Sequence, residues 1–234
     1  MKTNVSLIIP CYNEAKNLPF LISRCEKLIE EFPMEIIFVD NGSKDETAKI
    51  IEKNPFIKLI RIDNNEGYGN GILEGLRNAN GEILAWTHAD LQTDPNDMIE
   101  GLKHFRNSDD QEMIFVKGKR YGRSIVDLFF TIGMSIFETI FLKKFMWDIN
   151  AQPTIFHKAF FEKWRSPPKD FSLDLYAYFM AKKTELTIRR FPVQFSNRLH
   201  GESSWNVNLK GRYNFIRRTL TYSYKLKREL KKYD

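Results

Sequence analysis

Four apolar segments near the start of the chain each end in polar or glycine-rich residues, and a helical pattern follows each of them. The segments are Val5–Pro10, Glu35–Val39, Ile57–Ile62 and Glu82–Ala85. Near-continuous apolar runs are typical of strands that are buried on both faces of a parallel sheet. Repeated strand–helix units predict a right-handed, doubly wound α/β fold. Such sheets bind ligands at the carboxyl ends of their strands, so the polar strand exits are candidate site residues.

The most distinctive strand exit is Trp86–Pro95, WTHADLQTDP, which follows the fourth apolar run. His88, Asp90 and Gln92 stand at alternating positions, and in an extended chain such side chains point the same way. An imidazole, a carboxylate and an amide oxygen can together bind Mg²⁺ or Mn²⁺, and the cation can in turn hold a diphosphate. The pair Asp94–Pro95 predicts the start of a helix with the aspartate as its N-cap. An ordinary polar turn before a helix is the alternative interpretation.

Four strings in this part of the chain resemble the family 2 glycosyltransferases. They are VSLIIPCYNE, FVDNGSKDET, NNEGYGNGILEGLRNANGEIL and HADLQTDP, in the family's order over residues 4–96. The ADLQ tetrapeptide, the later GKRYG and the late RLHGESSWN are similar to the polyprenyl-phosphate and dolichyl-phosphate sugar synthases within that family. The resemblance implies a GT-A, Rossmann-like α/β fold. This fold has a mostly parallel central sheet with helices on both faces, and here amphipathic interface helices are expected in addition.

The resemblance implies that the strand exits bind a nucleoside-diphosphate sugar. The implied donor-binding residues are Pro10, Tyr12, Glu14, Val39, Asn41, His88, Ala89 and Asp90. The implied cofactor is Mg²⁺ or Mn²⁺, held by Asp90 and Gln92 together with His88. Two positions depart from the family pattern, because His88 replaces an acid of the metal motif and Asn41 replaces an aspartate. The first change removes a negative charge from the metal site, and the second changes the hydrogen bonds offered to the base.

The resemblance also implies residues on the acceptor side. Arg120 in GKRYG, and Arg198 with Ser203 in RLHGESSWN, match the lipid-phosphate synthases, whereas their late lysine is replaced by Ser204. Asp174 falls where many relatives carry the carboxylate that is assigned as base. A hydroxyl acceptor requires such a base, whereas a lipid phosphate is already an anion and depends on arginines that orient it. The predicted catalytic residues are therefore Asp174, Arg120 and Arg198. An acid in the first turn of a helix, stabilised by the helix dipole, is the alternative role of Asp174.

Two segments indicate contact with an anionic membrane surface. The window Ile125–Leu142 is strongly apolar but contains Asp127 and Glu138, which predicts one or two helices on the domain or at the lipid interface. Residues 198–234 carry ten Lys and Arg against three Asp and Glu, whereas the net charge of the whole chain is +6. The stretch 210–232 interleaves these charges with apolar residues, as basic amphipathic helices do. A core helix and a solvated terminal helix are the alternatives. No nucleic-acid-binding motif accompanies the charge, so no nucleic-acid partner is expected.

Length and spacing predict one domain over residues 1–234. The resemblance implies that its parts are a nucleotide-sugar-binding half at 1–110 and an acceptor half at 111–205, and the charge pattern adds a basic C-terminal helix at 206–234. Two cysteines and the lack of a signal peptide predict a cytoplasmic protein. The apolar window and the basic tail predict that it associates peripherally with the inner face of the cytoplasmic membrane. The resemblance implies that the function is an inverting sugar transfer from a nucleoside-diphosphate sugar to a polyprenyl phosphate or lipid-linked acceptor. Transfer to a soluble or polysaccharide hydroxyl, and a catalytically degenerate nucleotide-binding relative, are the alternatives.

Overall fold

The computed structural model describes residues 4–108, 110–200 and 209–230, and within the last segment the side chains of residues 216–228. The strands are β1 (Val5–Cys11), β2 (Glu35–Asn41), β3 (Ile57–Ile62), β4 (Ile83–Trp86), β5 (Ile114–Tyr121), β6 (Thr154–His157) and β7 (Thr187–Gln194). They form one sheet in the order β3-β2-β1-β4-β6-β5-β7. Strand β6 runs antiparallel to both of its neighbours, and the other pairs are parallel. The predicted mostly parallel α/β sheet is confirmed.

Helices cover both faces of this sheet. The α-helices are α1 (Leu18–Glu31), α2 (Thr47–Glu52), α3 (Tyr68–Arg77), α4 (Asp97–Arg106), α5 (Ile125–Leu142), α6 (Lys158–Glu162), α7 (Leu173–Lys183) and α8 (Leu209–Leu230). Along β1, Leu7 and Ile9 join an apolar cluster with residues of α1 and α4, whereas Ile8 joins a second cluster with residues of α3 and α7. Alternate residues of a strand point to opposite faces, so the two clusters are the two sides of the core.

Two predicted boundaries are wrong. Helix α4 begins at Asp97, and its N-cap is Asn96 rather than Asp94. Asp94 instead accepts a hydrogen bond from the backbone N–H of Asn96 at 2.9 Å, so it organises the turn before the helix. The apolar run Glu112–Val116 predicts a strand that ends before Lys117, whereas β5 extends to Tyr121, because it pairs with β7 along its whole length. Lys117 is therefore a buried residue of the sheet and not part of an exit loop.

Helix α5 exposes an apolar face. By length and composition it could cross a membrane, and only 17% of it is buried in the protein. One stripe consists of side chains that are each more than half exposed: Ile125, Phe129, Ile136 and Ile140. The other side contacts α8, where Glu138 is buried and accepts a hydrogen bond from Ser223 Oγ at 2.5 Å. This burial raises the pKa of Glu138 to about 7. The Glu138 side chain thus faces the protein interior, and the exposed stripe contains no charged residue.

Candidate functional site

A cleft of about 1290 Å³ lies at the carboxyl ends of β1, β2 and β4. Eleven of the predicted site residues line it: Pro10, Tyr12, Glu14, Asn41, His88, Ala89, Asp90, Gln92, Arg120, Asp174 and Arg198. Val39 is not among the lining residues, and its role in donor binding stays a prediction. Helix α3 covers this part of β2, and a Cβ on Gly75 would lie 3.1 Å from Val39 Cγ2. Ser203 lies outside the described residues. The binding roles of the lining residues stay predictions.

The exits of β1 and β2 form one corner of the cleft. The backbone N–H of Asn13 donates to Ser43 Oγ, and that of Glu14 donates to Thr47 Oγ1, both at 2.9 Å. Beside them, Asn41 Nδ2 donates to a backbone carbonyl of the loop before α3 at 2.9 Å. Asn41 Oδ1 is buried and has no hydrogen-bond partner among the described residues. Buried acceptors are normally satisfied, so this corner offers an acceptor to an N–H group of a ligand.

The backbone turns between Asp90 and Gln92. Leu91 adopts φ of 58°, and the N–H of Gln92 donates to Asp90 Oδ1 at 3.1 Å. The expectation of an extended run with three side chains on one side is therefore wrong. The turn directs the Gln92 side chain to Ser196, whose carbonyl accepts from Nε2 at 3.3 Å. Within the described ranges, no three His, Cys, Asp or Glu side chains are close enough to form a metal site by themselves.

The imidazole ring of His88 is stacked beside this turn. Burial lowers the pKa of His88, although Asp90 and Asp174 act in the opposite direction. Its ring stacks on Tyr68 with 5.1 Å between centroids, and Tyr68 stacks on Phe171 at 4.5 Å. A neutral imidazole can give a lone pair to a cation. An imidazole, one carboxylate and an amide oxygen therefore fit Mn²⁺ or Mg²⁺, provided that a diphosphate supplies further oxygens.

Arg198 contacts both predicted oxygen ligands of the metal. Its Nη2 lies 2.8 Å from Asp90 Oδ2, and its Nε donates to Gln92 Oε1 at 3.3 Å. Arg198 belongs to residues 195–200, here called the strap, which follow β7. The strap is tied to the turn by a hydrogen bond from the N–H of Ser196 to the carbonyl of Gln92 at 2.8 Å. Arg198, which the sequence assigns to the acceptor side, thus contacts Asp90, the predicted metal ligand on the donor side.

Three arginines surround the buried Asp148, and two of them, Arg120 and Arg123, line the cleft. Arg120 Nη2 lies 2.5 Å from Asp148 Oδ1, and the guanidinium groups of Arg123 and Arg190 lie 3.6 and 3.7 Å from this carboxylate. Burial alone would raise the pKa of Asp148, but Arg120 and Arg123 hold it below its ordinary value. Arg120, the predicted phosphate ligand, also donates from Nε to Asp148 at 2.9 Å, so part of its hydrogen-bonding capacity is already used. Three cations around one anion leave an excess of positive charge.

Arg123 is a site residue that the sequence reasoning missed. Its side chain is 6% exposed and lines the cleft. Arg123 Nη1 donates to Thr131 Oγ1 at 2.6 Å, whereas Nε is buried without a partner in the described part of the chain. The same cleft is lined by apolar side chains next to the arginines: Phe130, Met134 and Ile149. The available signal was a second arginine, three residues after Arg120 and two residues before the first residue of the apolar window.

Asp174 lies in the first turn of α7 and is buried with partners. Lys117 Nζ lies 3.4 Å from Asp174 Oδ1, and Gln152 Nε2 donates to the same oxygen at 2.7 Å. Lys117 also donates to Thr154 Oγ1 at 2.8 Å. Burial lowers the pKa of Lys117 to about 8, although Asp174 favours the charged form. Asp174 thus balances a buried ammonium group, and this structural role accompanies any role in catalysis.

Comparison with known proteins identifies the family. The model of Glycosyl transferase family 2 matches residues 6–163. The chain belongs to glycosyltransferase family 2. Undecaprenyl-phosphate 4-deoxy-4-formamido-L-arabinose transferases of Photorhabdus laumondii and Proteus mirabilis are 37% and 38% identical over 108 and 103 residues. These matches cover 42% and 40% of this chain and 33% and 31% of the relatives. The chain therefore matches about a third of the length of these curated relatives.

Solved structures of other glycosyltransferases share the fold of this family 2 protein. Mannosyl-3-phosphoglycerate synthase from Rubrobacter xylanophilus superposes with a TM-score of 0.74 at 17% identity, covering 98% of this chain and 74% of that one. Glucosyl-3-phosphoglycerate synthase from Mycobacterium tuberculosis, in complex with Mn²⁺, UDP and glucosyl-3-phosphoglycerate, gives 0.67 at 14% identity, covering 86% and 73%. At such identities the likeness shows the fold alone, and the predicted GT-A fold is confirmed.

Proposed function

We propose that this protein transfers a sugar, with inversion, from a nucleoside diphosphate to a polyprenyl phosphate in the presence of Mn²⁺ or Mg²⁺. The observation that carries the proposal is the composition of the cleft. One cavity contains the donor-side strand exits, the two arginines Arg120 and Arg123, and apolar side chains of α5. The curated relatives, whose names specify undecaprenyl phosphate, support the same acceptor class. Under this proposal residues 1–110 hold the donor and residues 111–205 hold the acceptor.

On the donor side, Asp90, His88 and Gln92 would hold the cation, which supplies positive charge for the departing diphosphate. Asn41 Oδ1 would accept an N–H of the base. The nucleoside would be enclosed by the remaining donor residues, Pro10, Tyr12, Glu14 and Ala89. The Mn²⁺ and UDP bound by the Mycobacterium tuberculosis enzyme support this donor chemistry.

On the acceptor side, the phosphate would bind at Arg123 and Arg120, with Arg198 and Ser203 joining from the strap and the segment after it. The buried Nε of Arg123 supports this assignment, because an anion would satisfy it with a charge-assisted hydrogen bond. The lipid chain would continue along Phe130, Met134 and Ile149 toward the exposed face of α5. A phosphate oxygen is already ionised, so the protein has to orient it and does not have to remove a proton.

Transfer to a hydroxyl is the second candidate, and the position of Asp174 favours it. Asp174 lines the cleft, so it could take a proton from a sugar hydroxyl. Its contacts with Lys117 and Gln152 argue for the first candidate, because they already use one carboxylate oxygen.

The exposed stripe of α5 leads us to propose that the protein lies peripherally on the inner face of the cytoplasmic membrane. Lys143, Lys144 and Phe145 are exposed at the end of the helix. We expect the protein to co-sediment with anionic vesicles and to be released by high salt, since each basic residue near such a surface contributes about 1 kcal/mol. Phe129→Asp should weaken binding by about tenfold or more, because it places a charge in the lipid-facing stripe.

Met113→Asp is the matched control for the vesicle experiment, because Met113 is an exposed apolar residue outside α5. Equal loss of vesicle binding in both variants, or binding that high salt does not affect, would contradict the proposed membrane surface.

Sugar transfer itself tests the proposed function. The purified protein is incubated with Mn²⁺, a panel of nucleotide sugars and a short polyprenyl phosphate, and the lipid is analysed by mass spectrometry. We expect one donor of the panel to give a lipid product heavier by one sugar residue. Absence of product with every donor, in the presence of vesicles, would contradict the proposal.

A further inference from the structure

We infer that Arg198 is a counter-ion of Asp90 that competes with the divalent cation and yields this carboxylate to it when the donor binds. The inference rests on the proposed function, because it assumes that Asp90 is a metal ligand. It adds a competition that the cleft lining alone does not reveal: the metal and the Arg198 side chain compete for one carboxylate.

Both oxygens of Asp90 already have partners. Oδ1 accepts the N–H of Gln92 at 3.1 Å, and Oδ2 lies 2.8 Å from Arg198 Nη2. The Asp90 side chain is 7% exposed and that of Arg198 is 27% exposed, so water weakens this pair less than it would a pair on the surface. A guanidinium and a divalent cation beside the same carboxylate repel each other, so they compete for the negative charge of Asp90. Metal binding is therefore favoured when Arg198 moves away.

The strap can release this side chain without leaving the cleft. At its start, the N–H of Phe195 donates to the carbonyl of Tyr121 at 2.9 Å. At its end, the carbonyl of His200 accepts from Asn17 Nδ2 at 3.4 Å. Arg198 lies between these two attachments, and its own contacts are made by the guanidinium. A rotation of the side chain is thus sufficient to free Asp90.

The displaced guanidinium gains a new role. Once the cation neutralises Asp90, Arg198 carries an unpaired positive charge on a strap that borders the cleft, where an anion can bind it. Arg198 then becomes available to the acceptor phosphate only after the metal and the donor have entered. The structure thus predicts an order of binding in which the donor precedes the acceptor.

Mn²⁺ titration followed by electron paramagnetic resonance, with and without UDP or GDP, tests the inference. Without nucleotide, Arg198→Gln should bind Mn²⁺ about tenfold more tightly than the wild type, because the competing cation is gone. Arg198→Lys retains a competing positive charge, so its Mn²⁺ affinity should lie between those of the wild type and Arg198→Gln. Arg24→Gln is the matched control: Arg24 pairs with Asp94 at 2.9 Å, and its loss should leave Mn²⁺ affinity unchanged.

The two sets of titrations separate the inference from the proposed function. Mn²⁺ affinity of Arg198→Gln that is equal to or weaker than that of the wild type overturns the inference, even if a nucleotide tightens metal binding in both proteins. A wild type whose Mn²⁺ affinity neither nucleotide changes contradicts the donor site of the proposed function. Tighter binding in Arg198→Gln would still support the role of Arg198 at Asp90 in that case.

Discussion

Asp90→Asn is expected to reduce sugar transfer by about 10³-fold, which corresponds to about 4 kcal/mol of transition-state stabilisation. Asp90 is the one carboxylate of the set His88, Asp90 and Gln92. The asparagine keeps the size of the side chain and an oxygen for the N–H of Gln92, but it removes the negative charge that attracts the cation. The loss should appear in kcat/KM at saturating Mn²⁺, with circular dichroism showing an unchanged fold.

Asp94→Asn is the matched control for this prediction. It makes the same chemical change four residues later, where the carboxylate pairs with Arg24 and both side chains are about 40% exposed. We expect its kcat/KM to stay within about threefold of the wild type, as is usual for a surface ion pair. Asp90→Asn activity close to that of the control would show that Asp90 does not hold an essential metal.

Arg123→Gln is expected to lower kcat/KM with a polyprenyl phosphate acceptor by about 30- to 1000-fold. The arginine is nearly buried, and its Nε lacks a partner within the described residues, so an acceptor anion would be its natural counterpart. Asp174→Asn should cost less than about tenfold, because a phosphate nucleophile is already ionised. Arg77→Gln, an exposed arginine paired with Glu74, is the matched control and should behave like the wild type.

The Asp174 variant requires a separate control for stability. Removing the carboxylate leaves the Lys117 ammonium buried without its charge partner, which typically costs about 3–5 kcal/mol of folding free energy. Lys117→Met combined with Asp174→Asn removes both charges and should recover much of this loss. If the stable double variant has no transfer activity while Arg123→Gln remains active, the phosphate acceptor is contradicted and a base-dependent hydroxyl acceptor is favoured.

Local patterns in the sequence were sufficient for the core of the fold and for most of the cleft. Strands β1 to β4 follow from apolar runs, since burial on both faces demands them. The rule that ligands bind at the carboxyl ends of parallel strands then brings Pro10, Asn41 and Asp90 to one edge of the sheet. This reasoning needs only residues that are close in the sequence, because connection rules allow few topologies for repeated strand–helix units.

The sequence reasoning falls short where distant segments decide the outcome. Lys117 is buried because β7 pairs with the whole of β5, and Val39 is covered because α3 approaches it closely at Gly75. Arg198 lies 106 residues from Gln92 and still contacts its side chain. The ion pairs of Asp148 likewise join β5, β7 and the start of α5. Neither periodicity nor motif spacing carries such information.

The most direct test of the central claim is a competition between two acceptors in one reaction. The protein is given Mn²⁺, the active nucleotide sugar, and equal amounts of a polyprenyl phosphate and the polyprenol of the same chain length, and both products are quantified by mass spectrometry. The two lipids differ in the phosphate alone, so membrane partitioning of the chain is closely matched. We predict sugar on the polyprenyl phosphate and none detectable on the polyprenol. Equal glycosylation of both lipids, or glycosylation of the polyprenol alone, would contradict the claim that Arg120 and Arg123 select an anionic acceptor.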